Sequence, residues 1–188
     1  MPMTARACWA ALLMAAPLAA QELEPRALQN APVGANLLGV AAGYSRGNLL
    51  FEPSLPIEDA QADVASIAVA YFRALDIFGM SGKVGVVVPM ATGTWSGTAF
   101  GIDTAVTRTG FADPRMTVSV NFLGAPALGR SGMRTHRAKT VAGFQLSVQA
   151  PLGQYAPERL VNLGLNRWSF QPRLGIAQTI SSHLIVES

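Results

Sequence analysis

Cysteine is almost absent. The 188-residue chain has one, Cys8, so a disulfide framework and a thiolate metal site are both excluded. Charge is scarce too: 13% of the residues are Asp, Glu, Lys or Arg, against about 25% in a soluble domain, too few for a comfortable soluble surface. No run of about 18 apolar residues occurs, which argues against a membrane-spanning helix. The histidines, His136 and His183, lie far apart and lack metal-ligand spacing; neither a metal nor a cofactor is expected. The net charge of +3 is small and spread out, and no basic stripe interleaved with aromatics points to nucleic acid. A convincing helix is also missing after residue 20; the best candidate is 58–75, which has Ala-rich helical propensity.

What the chain does have is apolar residues, half of its total, dispersed in two-residue alternation. Met116, Val118, Val120 and Phe122 alternate with Thr117, Ser119 and Asn121. After an interval the pattern resumes: Phe144, Leu146, Val148 and Ala150 against Gly143, Gln145, Ser147 and Gln149. A strand sends successive side chains to opposite faces, so each segment has one apolar and one polar face. The runs are uncharged and lack a companion amphipathic helix, as strands are when one side meets lipid and the other water. A soluble periplasmic β-sandwich or small-ligand-binding barrel is the alternative; there the same apolar residues form the core.

Residues 1–20 have the three-part layout of an export signal. Arg6 supplies the positive start, 7–16 is an apolar run, Pro17 breaks it, and Leu18, Ala19 and Ala20 offer small residues for cleavage. This segment is expected to be helical, and too short to span a membrane. Cys8 lies inside it, too early for a lipid-attachment site. Residues 21–180 then form one β domain and 181–188 an atypical tail with weak strand character.

The expected strands are 36–44, 66–78, 84–90, 115–123, 140–150 and 167–179. The third ends near Pro89, and the faces of 66–78 stay unassigned because Phe72 and Arg73 interrupt the alternation. Residues 79–82 read as a tight glycine turn. Prolines and acidic residues make 47–63 a loop, Gly and Thr make 92–112 a surface loop carrying Trp95 and Phe100, and 153–166 is a third. The 124–139 connection is long for a periplasmic turn. In the last strand Trp168, Phe170, Leu174 and Ile176 oppose Ser169, Gln171, Arg173 and Gly175. The result is an all-β antiparallel meander of about six strands, fewer than the 8 or so that close the smallest single-chain membrane barrels, and so an open or incomplete barrel.

Several local patterns invite a functional reading. Gly43-Tyr44-Ser45-Arg46-Gly47 matches the hydrolase elbow G-x-S-x-G, but the elbow must open a helix, and Pro53 and Pro56 in the next stretch forbid one. A strand end with small residues explains it, and no catalytic residue is expected. Gly79, Gly82 and Lys83 lack the rest of a phosphate-binding loop. Arg130, Arg134, His136, Arg137 and Lys139 offer a basic patch to anionic headgroups, yet no apolar face accompanies it and a solvated loop accounts for it. Trp168 and Phe170, with Trp95 and Tyr155 near strand ends, suit an aromatic girdle; core aromatics are the alternative. Asp113 and Arg115 flank Pro114 and either pair across a watery interior with Arg73, Arg108 or Arg173, or mark an exposed turn.

Two stretches carry a family resemblance. One is Gly110-Phe111-Ala112-Asp113-Pro114-Arg115 with Asn121-Phe122-Leu123-Gly124-Ala125-Pro126-Ala127-Leu128. The other is Pro151-Leu152-Gly153-Gln154-Tyr155 with Arg159-Leu160-Val161-Asn162-Leu163-Gly164 and Asn166-Arg167-Trp168-Ser169-Phe170. Together they resemble the family of the MetA pathway of phenol degradation, over about residues 35–180. The resemblance implies an outer-membrane β-barrel with transporter character and brings no catalytic residues. Members continue beyond the Trp-Ser-Phe region with further strands, and the tail from His183 to Ser188 lacks a terminal aromatic. A truncated chain, or a fragment that pairs with others and does not transport alone, is therefore expected.

On this reading the protein is a passive outer-membrane channel for small aromatic or hydrophobic compounds, its partners the membrane lipid and those solutes. Thr117, Ser119, Asn121, Gln145, Ser147, Gln149, Gln171 and Arg173 would line the lumen. Met116, Val118, Val120, Phe122, Phe144, Leu146, Val148, Trp168 and Phe170 would face lipid.

Overall fold

The structure is a computed structural model and describes residues 28–49, 57–181 and 184–187. The expected signal segment 1–20 lies outside the described residues, as do His183 and parts of the tail. The described chain forms a single antiparallel sheet. Its strands are β1 Asn36–Asn48, β2 Ile57–Ile77, β3 Met80–Ala99, β4 Ile102–Phe111, β5 Arg115–Pro126, β6 Thr140–Gln149, β7 Ser169–Ser181 and β8 Leu184–Glu187. The pairing path runs β1-β2-β3-β5-β6-β7-β8, with β4 joined to β3 off that path. Every pairing is antiparallel, and β1 and β8 are not paired with each other. The fold is all-β and open, as expected of an incomplete barrel; it has eight strands where alternation alone marked six.

Of the two additional strands, β8 falls in the expected tail and β4 comes from a correction. Residues 92–112 are not a loop: β3 continues to Ala99 and β4 returns from Ile102, pairing Thr92 with Thr109 and Thr94 with Thr107. Phe100 and Gly101 both take positive φ, 53° and 76°, which matches a two-residue turn to the right-handed twist of its strands. Hydropathy conceals this hairpin because one of its faces is made of threonines. The hydroxyls meet across the strands, Thr92 to Thr109 at 2.7 Å and Thr94 to Thr107 at 3.0 Å.

Pro89 does not end β3. It cannot donate a ladder hydrogen bond, and it lies where none is required: β3 pairs with β5 up to Val87 and with β4 from Met90. Residues 57–63 belong to β2, and so does the helix candidate 58–75. The alternation of β2 is unbroken from Gln61 to Ile77, where Phe72 pairs with Leu37 and Arg73 with Asn36. The first tight turn sits at Phe78 and Gly79, with φ of 53° and 80°, and Asp76 accepts the Gly79 N–H at 2.7 Å. The 124–139 connection contains a short helix, α1 Arg130–Thr135. Its end is tied down where His136 Nε2 meets the Gly124 carbonyl at 3.1 Å.

Burial is inverted relative to a soluble sheet. The buried polar side chains include Ser81, Ser119, Asn121, Gln145 and Ser147, while Val40, Ile67, Val69, Val88, Met116, Val118, Phe170, Leu174 and Ile176 are exposed. The small apolar cluster of Leu28, Ala125, Val141 and Ala177 is local.

Candidate functional site: the polar face of the sheet and its two covers

Pairing partners in an antiparallel ladder point to the same side, so the register assembles rows across the sheet. One row on the polar face is Lys83, Ser119, Gln145 and Arg173; the next are Gly85, Thr117, Ser147 and Gln171, then Val87, Arg115, Gln149 and Ser169. The rows between them, on the other face, are Val84, Val118, Leu146 and Pro172, then Val86, Met116, Val148 and Phe170. Val120 and Phe144 pair in turn with Gly82 and Leu174. Thr117, Gln149 and Arg173 are half-buried and Gln171 is exposed, while Val120, Phe144, Leu146 and Val148 are half-buried and Phe122 and Trp168 exposed. The eight polar residues named from sequence thus share one face, and Met116, Val118, Val120, Phe144, Leu146, Val148 and Phe170 the other; Phe122 sits in a bulge of β5 and Trp168 just before β7, where the register assigns no face. Within the polar face Gln145 Nε2 donates to Ser147 Oγ at 3.3 Å and Arg173 donates to Gln171 Oε1 at 3.2 Å.

Two pieces of chain cover this face, and neither was legible from periodicity. The first is 28–35, near the α1 end. Asn121 Nδ2 donates to the Leu28 carbonyl at 2.9 Å, and Lys83 Nζ to the Gln29 carbonyl at 3.2 Å. Asn30 Nδ2 reaches the Pro126 carbonyl at 3.1 Å, and the Val33 N–H reaches Leu128 at 2.8 Å. Leu28 is 2% exposed and lies so close to Gly143 that a Cβ there would stand 2.7 Å from its Cδ2.

The second cover is the connection between β6 and β7, and Asp113 holds it. The carboxylate accepts the Gly153 N–H on one oxygen and the Leu165 N–H on the other, both at 2.7 Å. Asp113 is buried, so it is not the exposed turn residue considered above. A Cβ at Gly153 or Gly164 would come within 2.7 and 2.9 Å of its Oδ1. The Gln154 N–H donates to the Phe111 carbonyl at 2.8 Å, and the N–H groups of Leu163 and Gly164 donate to the Gln154 carbonyl. The two motif stretches, far apart in sequence, therefore form one structural unit.

That unit brings Leu160 and Val161 over the β2–β3–β4 end of the polar face. There a cavity of about 190 Å³ is walled by Ala60, Trp95, Gly97, Val106 and Arg108 and roofed by Leu160 and Val161. The six-membered edge of Trp95 lies against Gly93, where a Cβ would come within 2.6 Å of the indole. It is therefore neither a loop residue nor a girdle residue. Arg108 Nε donates to the Val161 carbonyl at 3.4 Å and Nη1 to the Thr107 carbonyl at 3.0 Å. Trp95 and Arg108 were missed as a pair because the alternation that joins them, through Val106, sits in a Thr-rich run that reads as loop.

The remaining sequence candidates are placed as follows. Ser45 is mid-strand in β1, paired with Val64, and the strand continues to Asn48, so the strand-to-helix turn of an elbow is not formed. Arg130, Arg134, Arg137 and Lys139 are exposed on and beside α1. Trp168 stacks on Phe170 with ring centroids 6.3 Å apart. Among the described residues no three His, Cys, Asp or Glu side chains cluster as metal ligands, and no helix is long and apolar enough to cross a membrane, which says nothing of strands.

No curated protein and no solved structure matches the chain. The profile of the family described as "Putative MetA-pathway of phenol degradation" matches residues 52–185, a span that holds both motif stretches and the cavity walls. The chain belongs to that family.

Proposed function

We propose that the protein is exported by its N-terminal segment to the bacterial outer membrane. There its sheet forms wall of a β-barrel through which small aromatic or hydrophobic compounds pass down their gradient. The observation that carries this reading is the inverted burial: Ser119, Asn121, Gln145 and Ser147 are buried, while Met116, Val118, Phe170 and Leu174 are exposed. Each bare run is also bounded. On β1 Leu38, Val40, Ala42 and Tyr44 lie between Asn36 and Arg46; on β2 Ala65, Ile67, Val69 and Tyr71 lie between Asp63 and Arg73. Seven strand residues cover about 20 Å, close to the roughly 25 Å apolar band of membrane barrels. The tyrosines at the margins have bonded hydroxyls, Tyr44 to Asp63 at 2.9 Å and Tyr71 to Asn36 at 2.8 Å, as suits aromatics at an interface with water.

A soluble β-sandwich or small-ligand-binding barrel would have to cover the bare face, and among the described residues there is one sheet and no second layer. Among the described residues β1 and β8 are not joined, and open edges leave backbone groups that lipid cannot satisfy, so this reading requires partners for those edges. Fractionation of cells expressing the full chain tests the reading. The protein is expected in the outer-membrane fraction, released only by detergent; recovery in the aqueous periplasmic fraction would defeat it.

A further inference from the structure

From the roofed end of the polar face we infer a binding site for a single-ring aromatic carboxylate, with benzoate as the simplest member. The inference deepens the proposed channel reading, on which it rests for the route by which a solute reaches this face. Size comes first. An apolar cavity of about 150 Å³ holds one benzene ring, so the half-open 190 Å³ space accommodates a ring with one small substituent. The lining is the second consideration. Trp95, Val106, Leu160 and Val161 are apolar, and Leu160 remains 75% exposed beside the opening, surface that a flat apolar ring would cover. Trp95 offers an indole packed against Gly93, and aromatic pairs gain about 0.5–1.5 kcal/mol beyond simple burial.

Charge is the third. Arg108 is half-buried in the wall and donates only to backbone carbonyls, those of Val161 and Thr107; among the described residues no carboxylate pairs with it. A guanidinium is always protonated and presents a planar fork that fits a carboxylate in two-point fashion. A neutral phenol or an alkane would fill the space and leave that charge uncompensated. The Asp113 anchor completes the site from a distance by holding the segment that carries Leu160 and Val161.

The test uses the full chain purified in detergent, with Trp9 and Trp168 replaced by Phe so that Trp95 is the sole indole. Benzoate is expected to change Trp95 fluorescence saturably. Benzyl alcohol and phenol, alike in shape but uncharged, are expected to bind about tenfold or more weakly, the usual loss when a charged hydrogen bond is removed. Arg108→Gln, which keeps a donor for Val161, is expected to weaken benzoate by the same factor and leave benzyl alcohol unchanged; Arg108→Lys should fall between. A Trp95 signal that does not saturate, equal affinities for benzoate and benzyl alcohol, or an indifferent Arg108→Gln overturns the site. Cell fractionation separates the two readings. A chain released from outer membranes by detergent that ignores benzoate loses the site and keeps the channel reading; one recovered from the aqueous periplasmic fraction that binds benzoate keeps the site and loses the channel reading.

Discussion

The sharpest expectation concerns Asp113→Asn. The side chain barely changes volume, but one carboxylate oxygen becomes an NH₂ group facing a backbone N–H. Both native oxygens accept bonds at 2.7 Å, from Gly153 and Leu165, and the residue is 4% exposed, so water cannot substitute. Hydrogen bonds to a charged group contribute about 1.5–3 kcal/mol each, and an orphaned buried donor costs a similar amount. Loss of one bond and opposition of two donors should weaken docking of the 150–168 segment by about 2–4 kcal/mol. The rest of the sheet keeps its ladder. The readout is limited trypsin digestion at Arg159 and Arg167, both exposed in this segment. Cleavage of a transiently opened segment follows its open population, and about 1.4 kcal/mol is tenfold, so cutting at these arginines should accelerate by tens to hundreds of times. Cutting at Arg130 and Arg134, on α1, is the internal control and should not change. If Asp113→Asn is cut at Arg159 and Arg167 at the wild-type rate, Asp113 does not anchor this segment, and the positioning of Leu160 and Val161 needs another cause.

Three further outcomes are expected. Gly124 takes φ 73° and a Cβ there would fall 1.8 Å from the Thr140 carbonyl oxygen; Gly124→Ala should lower stability by about 2 kcal/mol or more, read as an earlier urea midpoint. Val118→Lys places a charge in the middle of the bare apolar rows; if lipid covers them the cost is about 2–4 kcal/mol, and outer-membrane recovery should fall while a tolerant, fully recovered variant would count against lipid contact. Leu28→Ala removes the side chain seated beside Gly143; with a large-to-small cost of about 2–4 kcal/mol, hydrogen exchange at the Val33 amide, bonded to Leu128 at 2.8 Å, should quicken while the amides of β5 and β6 hold.

Alternation is a property of neighbours along the chain, so residues 116–122 and 144–150 disclosed from sequence alone both their strand character and which side chains share a face. The same rule extended correctly to Phe170, Arg173 and Leu174. It failed where both faces lost hydropathy contrast: the Thr92–Thr109 hairpin is as regular as any other pair, but threonine rows and glycines do not alternate in polarity. Proline misled in the same way at Pro89, because its tolerance depends on which strand lies alongside, and that is settled by pairing. The covers of the polar face were beyond any periodic signal. Leu28 on Gly143, Asp113 on Gly153 and Leu165, and Leu160 over Trp95 and Arg108 are contacts between segments far apart in the chain, each made by one or two hydrogen bonds or a single side chain. Short-range pattern carries the wall of this protein; the arrangement that turns a wall into a site exists only once distant segments meet.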